Sequence, residues 1–435
     1  MNVLVFTTLY PNNVWPEQGV FIKERMSQFA LLQGCDVKVV APVPYFPDLK
    51  VNWRWRFSQV ARMEMRDGIE VCHPRYVMMP KLGMTLYGVM MFLSVLATVK
   101  RIQKKFDFDI IDAHWVYPDG LAAVLLGRFF KKPVVVSARG SDINLYGQFP
   151  LIRRLLRYTL HKTDRVIAVS RALKMAMVRL GIPDSKISVI PNGVDTKKFY
   201  PLSRKEAREK LGVPGDAKVI LSVGHLTPGK GFDVVMRAIA LLLEESPQEN
   251  LQLIIVGDGP FRKALEKTGS ILNLGRNVSF RGNVSHEELF LLYSAADLFC
   301  LASEMEGCPN VILESLACGT PVVATAVGGI PEIIQSDEFG LLAERNETKI
   351  AGAIQAALRK SWQSRDLIQF AKQHSWEQTA WAVRHVFESV LNGKNEMSGR
   401  GALSVDTTIR ATTSHPGVKP DDLGDADITV GYKRT

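Results

Sequence analysis

Short runs of Val, Ile and Leu, apolar at nearly every position, recur along this 435-residue chain and are separated by longer stretches of helical periodicity. A strand that is apolar on both faces needs cover on both faces, and a parallel sheet flanked by helices supplies it. In the first half the runs are Val3–Thr7, Val37–Pro42, Ile110–Trp115, Val134–Ala138, Val166–Val169 and Ile187–Ile190. In the second they are Val219–Val223, Leu251–Val256, Val278–Arg281, Leu298–Leu301 and Pro321–Ala324. Strand and helix alternating in this way form the doubly wound α/β pattern. The turn signal Ile190-Pro191-Asn192-Gly193-Val194-Asp195, followed by a Lys-rich polar stretch, divides the series in two. The expectation is two Rossmann-like, doubly wound parallel-sheet domains facing across a cleft, over 1–192 and 216–373, with 193–215 as linker. Ligands of such sheets bind beyond the carboxyl ends of the strands. Residues 374–392 read as a final helix, and 393–435, rich in Ser, Thr, Gly, Asp and Pro, as a disordered tail.

Charge is unevenly placed. The net +10 divides into +13 over residues 1–192 (27 Lys/Arg against 14 Asp/Glu) and −3 over the rest. A basic first half suits anionic lipid or a phosphorylated acceptor. No helix-turn-helix, zinc finger or RNP-like motif accompanies it, so nucleic acid is not expected as a partner. Five cysteines, odd in number and without a Cys-x-x-Cys pair, suit a reducing cytoplasm. Met1 to Val5 runs directly into a strand pattern without a signal-type lead, which also points to the cytoplasm. Leu82–Val99, followed by Lys100-Arg101 and Lys104-Lys105, reads as a core-facing helix, with a helix lying in a membrane interface as the alternative.

Three segments carry recognisable chemistry. Gly224-His225-Leu226-Thr227-Pro228-Gly229-Lys230-Gly231 follows a strand and resembles a P-loop, but Gly231 stands where a magnesium-binding Ser or Thr would be needed. What remains is a glycine-rich turn that lets Lys230 reach a diphosphate. Asp107-Phe108-Asp109 resembles a metal-binding Asp-x-Asp motif, yet it precedes a strand, so solvated carboxylates are expected there and no metal. Ser303 to Glu314 follows a strand and opens a helix. With Pro309 in the first turn, the amides of Asn310 and Val311 point outward without acceptors and favour a phosphate. Glu306 and Glu314, eight residues apart, can flank one extended ligand through its hydroxyls.

Glu306-x7-Glu314, followed by Ala317-Cys318-Gly319-Thr320-Pro321, resembles the retaining glycosyltransferases of family 4, which have the GT-B fold. Val223-Gly224-x-Leu226-x3-Lys230-Gly231, Val256-Gly257-Asp258-Gly259-Pro260, Val278-x-Phe280-x-Gly282-x-Val284 and Val327-Gly328-Gly329-Ile330-Pro331-Glu332 fall in the family's order. The first half, with Tyr10-Pro11, Gly19, Asp112-Ala113-His114-Trp115 and Arg139-Gly140-Ser141-Asp142, is similar to a subgroup that builds bacterial polysaccharides of teichuronic or exopolysaccharide type. The resemblance spans roughly residues 2–390.

The resemblance implies a role for each matching residue. Glu306 would bind hydroxyls of the transferred sugar, Glu314 the ribose diol, and Lys230 the departing diphosphate. Pro309, Asn310, Val311 and Gly19 would assist at the phosphates, while Gly282 to Val284 would meet the base. His114 would touch the sugar from the first domain, with Arg139 and Asp142 on the acceptor side. His225 stands where the family usually has Arg, which leaves the second arm of the diphosphate clamp open. The last helix would cross back onto the first domain. The implied activity is a retaining, metal-independent transfer from a nucleotide-diphosphate-sugar, used as substrate without a cofactor, to a glycan or polyprenyl-linked oligosaccharide. It would serve cell-surface polysaccharide synthesis in the cytoplasm, at the inner membrane face, with peripheral contact to anionic lipid. Two alternatives stand beside it: a non-catalytic nucleotide-sugar-binding protein and a sugar-nucleotide epimerase.

Overall fold

The computed structural model describes residues 1–51, 53–78 and 83–398. Two sheets organise them. The first runs, in spatial order, Ile187–Val189, Arg165–Ala168, Val134–Ala138, Ile110–His114, Asn2–Phe6, Asp36–Val40, Ile69–Cys72 and Met63–Arg66. Every neighbouring pair is parallel except the last. The second sheet runs Val278–Gly282, Leu251–Val256, Lys218–Val223, Leu298–Leu301, Val322–Thr325 and Gly340–Ala343, parallel throughout. In each sheet the first strand in sequence lies inside, and the chain builds outward to both sides of it. The order therefore reverses between Asn2–Phe6 and Ile110–His114, and again between Lys218–Val223 and Leu298–Leu301. Crevices open at the carboxyl ends of strands at such reversals.

The interior strands are buried along almost their whole length, as their unbroken apolar runs require. Met63–Arg66, Ile69–Cys72 and Gly340–Ala343 have no counterpart in the sequence reading. Met63–Arg66 and Gly340–Ala343 are edge strands, and Ile69–Cys72 is next to an edge. Met63–Arg66 alternates exposed and half-buried residues, with Met63 and Met65 largely exposed, so it lacks a continuous apolar run.

Two boundaries shift. Within the expected linker, Arg204–Leu211 is a helix anchored to the second domain. Arg208 donates to the carbonyls of Ala295 and Gly215 and pairs with Asp297 at 2.7 Å. The final helix runs Trp376–Ser398, past the 392 limit read from the sequence, while 399–435 lies outside the described residues. Ala380, Val383 and Phe387 of this helix are buried among Val3, Val5, Ile22, Met26 and Phe29 of the first domain, with the rings of Phe29 and Phe387 5.4 Å apart. It thus ties the end of the second domain to the first.

Tyr87–Lys105 lays Met91, Val95, Val99 and Ile102 into the first domain's core. Together with the preceding turn Met84–Leu86 it is long and apolar enough to cross a membrane, and Leu86, Val89 and Leu93 of this stretch remain exposed.

Candidate active site

The loops that leave the strands at the two reversals face one another across a cleft of about 1590 Å³. On the second-domain side, Lys218–Val223 leads into a glycine turn and then a single 3-10 turn, Pro228–Lys230. This places Lys230 Nζ 2.6 Å from Glu306 Oε1, and Ser303 Oγ donates to the same oxygen at 2.7 Å. The backbone fixes both partners: the amide of Glu304 donates to Gly229 O, and Thr325 Oγ1 donates to Ser303 O. Glu306 Oε2 has no partner among the described residues and is left to accept from a ligand. A pre-formed Lys–Glu pair is an acceptor and a cation held side by side, suited to a sugar hydroxyl next to a phosphate.

Pro309, in extended conformation, precedes the helix Asn310–Ala317, and Pro309, Asn310 and Val311 all line the cleft. The first amides of a helix have no intrahelical acceptor and carry the positive end of its dipole, so this wall favours an anion. One turn on, Glu314 is almost fully buried and accepts from Tyr293 Oη at 3.0 Å. Burial pushes its carboxyl up to about 7. His225 is exposed and lines the cleft, so the position that usually holds Arg does face the ligand space. Gly282 is the turn rather than the wall: its φ is +68° and its carbonyl takes the amide of Gly257, while Asn283, Val284 and Ser285 line the cleft after it.

The first-domain residues behave differently. Gly19, at φ +67°, heads the helix Val20–Ala30, and a Cβ there would overlap the carbonyl of Leu9, so only glycine lets these loops meet. Its neighbours Gln18 and Val20 line the cleft. His114, expected to touch the sugar, is wholly buried and does not reach the cleft. Its Nε2 lies 3.1 Å from Asp112 Oδ2, and its Nδ1 receives Arg139 Nη2. An accepting Nδ1 leaves the proton on Nε2, facing Asp112. Burial lowers the imidazole to about 3, so the ring is neutral. Arg25, itself buried, completes the cluster with 2.6 Å to Asp112 and 3.0 Å to Ser137 Oγ. Burial alone would raise Asp112, but Arg25 and His114 overcome it and hold the carboxyl at about 2.

Asp142 also departs from its acceptor-side role. It is fully buried, and its carboxylate accepts the backbone amides of Val116, Arg139, Gly140 and Ile143. With that many donors it serves as the knot of the loop. Arg139 does reach the cleft, with its guanidinium over the ring of Phe21 at 5.1 Å and 2.9 Å from Asn192 Oδ1. Burial and the nearby Arg25 lower its pKa, though a guanidinium stays charged at neutral pH.

Several residues enter the site without a signal that names them. Trp115, not His114, lines the cleft after the strand, because the backbone turns through φ +77° there. Asn192, read only as part of a turn, donates to Cys308 O and Asn310 Oδ1 while accepting from Arg139, and so joins the two domains. Glu332 accepts the amides of Arg171 and Ala172 at 2.7 and 2.8 Å, capping the first-domain helix Arg171–Arg179 from the second domain. Gly307 lies so close to Arg139 that a Cβ would overlap its carbonyl oxygen. Asp107 and Asp109 lie away from the cleft: Asp107 pairs with Lys132, and Asp109 takes the amide of Asn2. No group of three or more His, Cys, Asp or Glu able to hold a metal occurs among the described residues.

Comparison with known proteins agrees with this geometry. Residues 203–374 match the family described as glycosyl transferases group 1, and residues 18–198 match glycosyltransferase family 4. The chain is 31% identical over 365 residues to TuaC of Bacillus subtilis (strain 168), named as a teichuronic acid biosynthesis glycosyltransferase; the match covers 81% of this chain and 88% of that one. The fold is shared with sucrose-phosphate synthase of Thermosynechococcus elongatus, with TM-score 0.73 and 21% identity over 90% of this chain and 99% of that one. It is shared too with Anabaena HepE, solved in complex with UDP, with TM-score 0.68 and 21% identity over 89% and 100%. Two doubly wound sheets, their facing loops and these matches together show that the chain belongs to glycosyltransferase family 4 and has the GT-B fold.

Proposed function

We propose that this glycosyltransferase moves a sugar from a nucleotide-diphosphate-sugar to a glycan or polyprenyl-linked oligosaccharide, with retention of configuration and without a metal. The observation that carries the donor reading is the Lys230–Glu306 pair at 2.6 Å, set beside the open N-terminus of Asn310–Ala317. Lys230 and the helix amides meet the diphosphate, Glu306 Oε2 accepts from hydroxyls of the sugar, and Glu314 accepts from the ribose diol. His225 faces the phosphates in place of the usual Arg.

The reaction proceeds by front-face substitution. The bond from the anomeric carbon to the phosphate oxygen breaks, and the electron pair stays on the diphosphate. The acceptor hydroxyl attacks from the same face, and its proton passes to that phosphate oxygen. Glu306 suits hydroxyl binding better than nucleophilic attack, since two donors already hold one of its oxygens. Charge grows on the leaving phosphate, so fixed donors aimed there lower the barrier, while closure of the domains keeps water out.

The similarity to TuaC and the basic first domain support an acceptor in cell-surface polysaccharide synthesis, met at the cytoplasmic face of the membrane. The exposed Leu86, Val89 and Leu93, on a helix ending in Lys104 and Lys105, suit peripheral contact with anionic lipid. The test is nucleoside diphosphate release from UDP-, GDP- and ADP-sugars, with bacterial membrane lipid extract as acceptor, for wild type and Glu306→Ala. Acceptor-dependent release from one donor, at least a hundredfold lower in the variant at unchanged thermal stability, is expected. Tight donor binding without release would instead favour the non-catalytic reading.

A further inference from the structure

The first-domain mouth of the cleft carries aromatic rings to which the donor reading assigns no role. Trp15, Trp53 and Phe57 all line it. The Trp15 and Phe57 rings are centred 5.0 Å apart, and those of Trp53 and Phe57 5.6 Å apart, so the three form one continuous shelf. Trp53 is 62% exposed. A large indole left open to water at a ligand cleft costs apolar burial, and a ligand face recovers it. The shelf is held in place: Asn13 Nδ2 donates to Gln59 O, and the Ala61 amide donates to Asn13 Oδ1, tying Trp53–Gln59 to the loop that carries Trp15.

Cations alternate with these rings. Arg54 lies over Trp53 at 6.0 Å, Arg56 over Trp15 at 5.6 Å, and Lys50 over Trp55 at 5.3 Å. The recorded contacts of Lys50 and Arg56 among the described residues are to rings and not to carboxylates, and Asp48 is engaged by Ser58 and Gln59. Charges unpaired by the protein beside an open aromatic face call for a ligand with both a flat apolar side and a negative group.

We infer that the shelf of Trp15, Trp53 and Phe57, with Arg56 over the ring of Trp15, is an acceptor subsite for an anionic glycan. The C–H face of a pyranose lies on the indole of Trp53, and a carboxylate or phosphate of the glycan meets Arg56. The inference rests on the transferase reading for its meaning and extends it from the donor to the class of acceptor. A small acceptor would leave the shelf empty, whereas a chain of sugars growing from the cleft would cover it.

The test is calorimetric titration of the full chain, saturated with UDP, with an oligogalacturonate hexamer, a phosphorylated maltohexaose and neutral maltohexaose. Saturable binding of at least one anionic hexamer, at least about tenfold tighter than the neutral one, is expected. Which of the two binds tells carboxylate from phosphate. Trp53→Ala should weaken it about tenfold, as loss of an aromatic anchor does, and Arg56→Ala should erase the preference over the neutral sugar. Unchanged binding in Trp53→Ala, equal binding of all three sugars, or no sugar binding with uptake only by phosphatidylglycerol vesicles would overturn the inference. UDP, GDP and ADP titrated alone separate the two readings: failure of all three strikes the donor site, and the sugars titrated without nucleotide then decide for the shelf by the same outcomes.

Discussion

The two walls of the cleft use charged residues in opposite ways. On the second-domain side, Lys230, Glu306 and the start of Asn310–Ala317 sit in loops after strands and turn toward the ligand space. On the first-domain side, Arg25, Asp112, His114 and Asp142 are buried and pair with one another or with the backbone. The strand Ile110–His114 is covered on both faces, so polar residues within it must find partners inside the protein. The loops beyond the strand ends bear no such obligation. A charged residue inside a strand therefore reads first as support, while one after a strand can do either: Lys230 turns to the cleft, and Asp142 ties its own loop.

Breaking the support should have the largest effect. Arg25→Met leaves Asp112 without its main cation and should cost about 3–5 kcal/mol of folding free energy, measured by urea denaturation. A cost below about 1 kcal/mol would mean that the buried cluster is not structural. On the opposite wall, Lys230→Ala should lower kcat by about a hundredfold to a thousandfold while moving the urea midpoint little. If both variants lost stability equally, the contrast between the walls would disappear.

Two smaller effects sharpen the comparison. Glu314 sits at about 7, above the ordinary carboxyl value, because burial disfavours its charge. If, as proposed, its carboxylate form accepts from the ribose diol, nucleotide affinity should rise as pH increases from 6 to 8 and level off above. Binding should release a proton near pH 7, visible as a dependence of calorimetric heat on buffer ionisation, and Glu314→Gln should flatten both. Smallest is the interdomain cap. Glu332→Gln weakens the charge-assisted bonds to the amides of Arg171 and Ala172 and should cost about 0.5–2 kcal/mol. Since those bonds join the domains, the loss should appear in small-angle scattering as a larger radius of gyration without nucleotide, and in a severalfold weaker donor affinity. An unchanged radius would place the joint elsewhere, at Asn192 and Gly307.

Much of this was legible before the fold was known, and the misses share a cause. The interior strands announced themselves because full burial demands unbroken apolar sequence; Met63–Arg66, at an open edge, could not. The second-domain site was legible because its residues follow strands at spacings fixed by backbone geometry, as with Lys230 after Lys218–Val223. Asp142 turns inward because the amides of its own loop and of Val116 claim its carboxylate, and His114 does so because sequence names a residue at a strand end without saying which way it points. That direction came from one backbone turn, φ +77° at Trp115, which sends the indole into the cleft and leaves His114 inside.

By itself the sequence determined the two parallel-sheet domains, their junction near Asn192, and the loops that carry Lys230, Glu306 and Glu314. These follow from local periodicity, turn chemistry and helix starts, which act over a few residues. Only the tertiary structure decided that Arg25 reaches across 87 positions to Asp112, that Trp15 and Trp53 share one shelf, and that Glu332 caps a helix of the other domain. Such pairings are set by how sheets and helices pack, and burial, not residue type, then decides which charges hold the fold and which are left to meet a ligand.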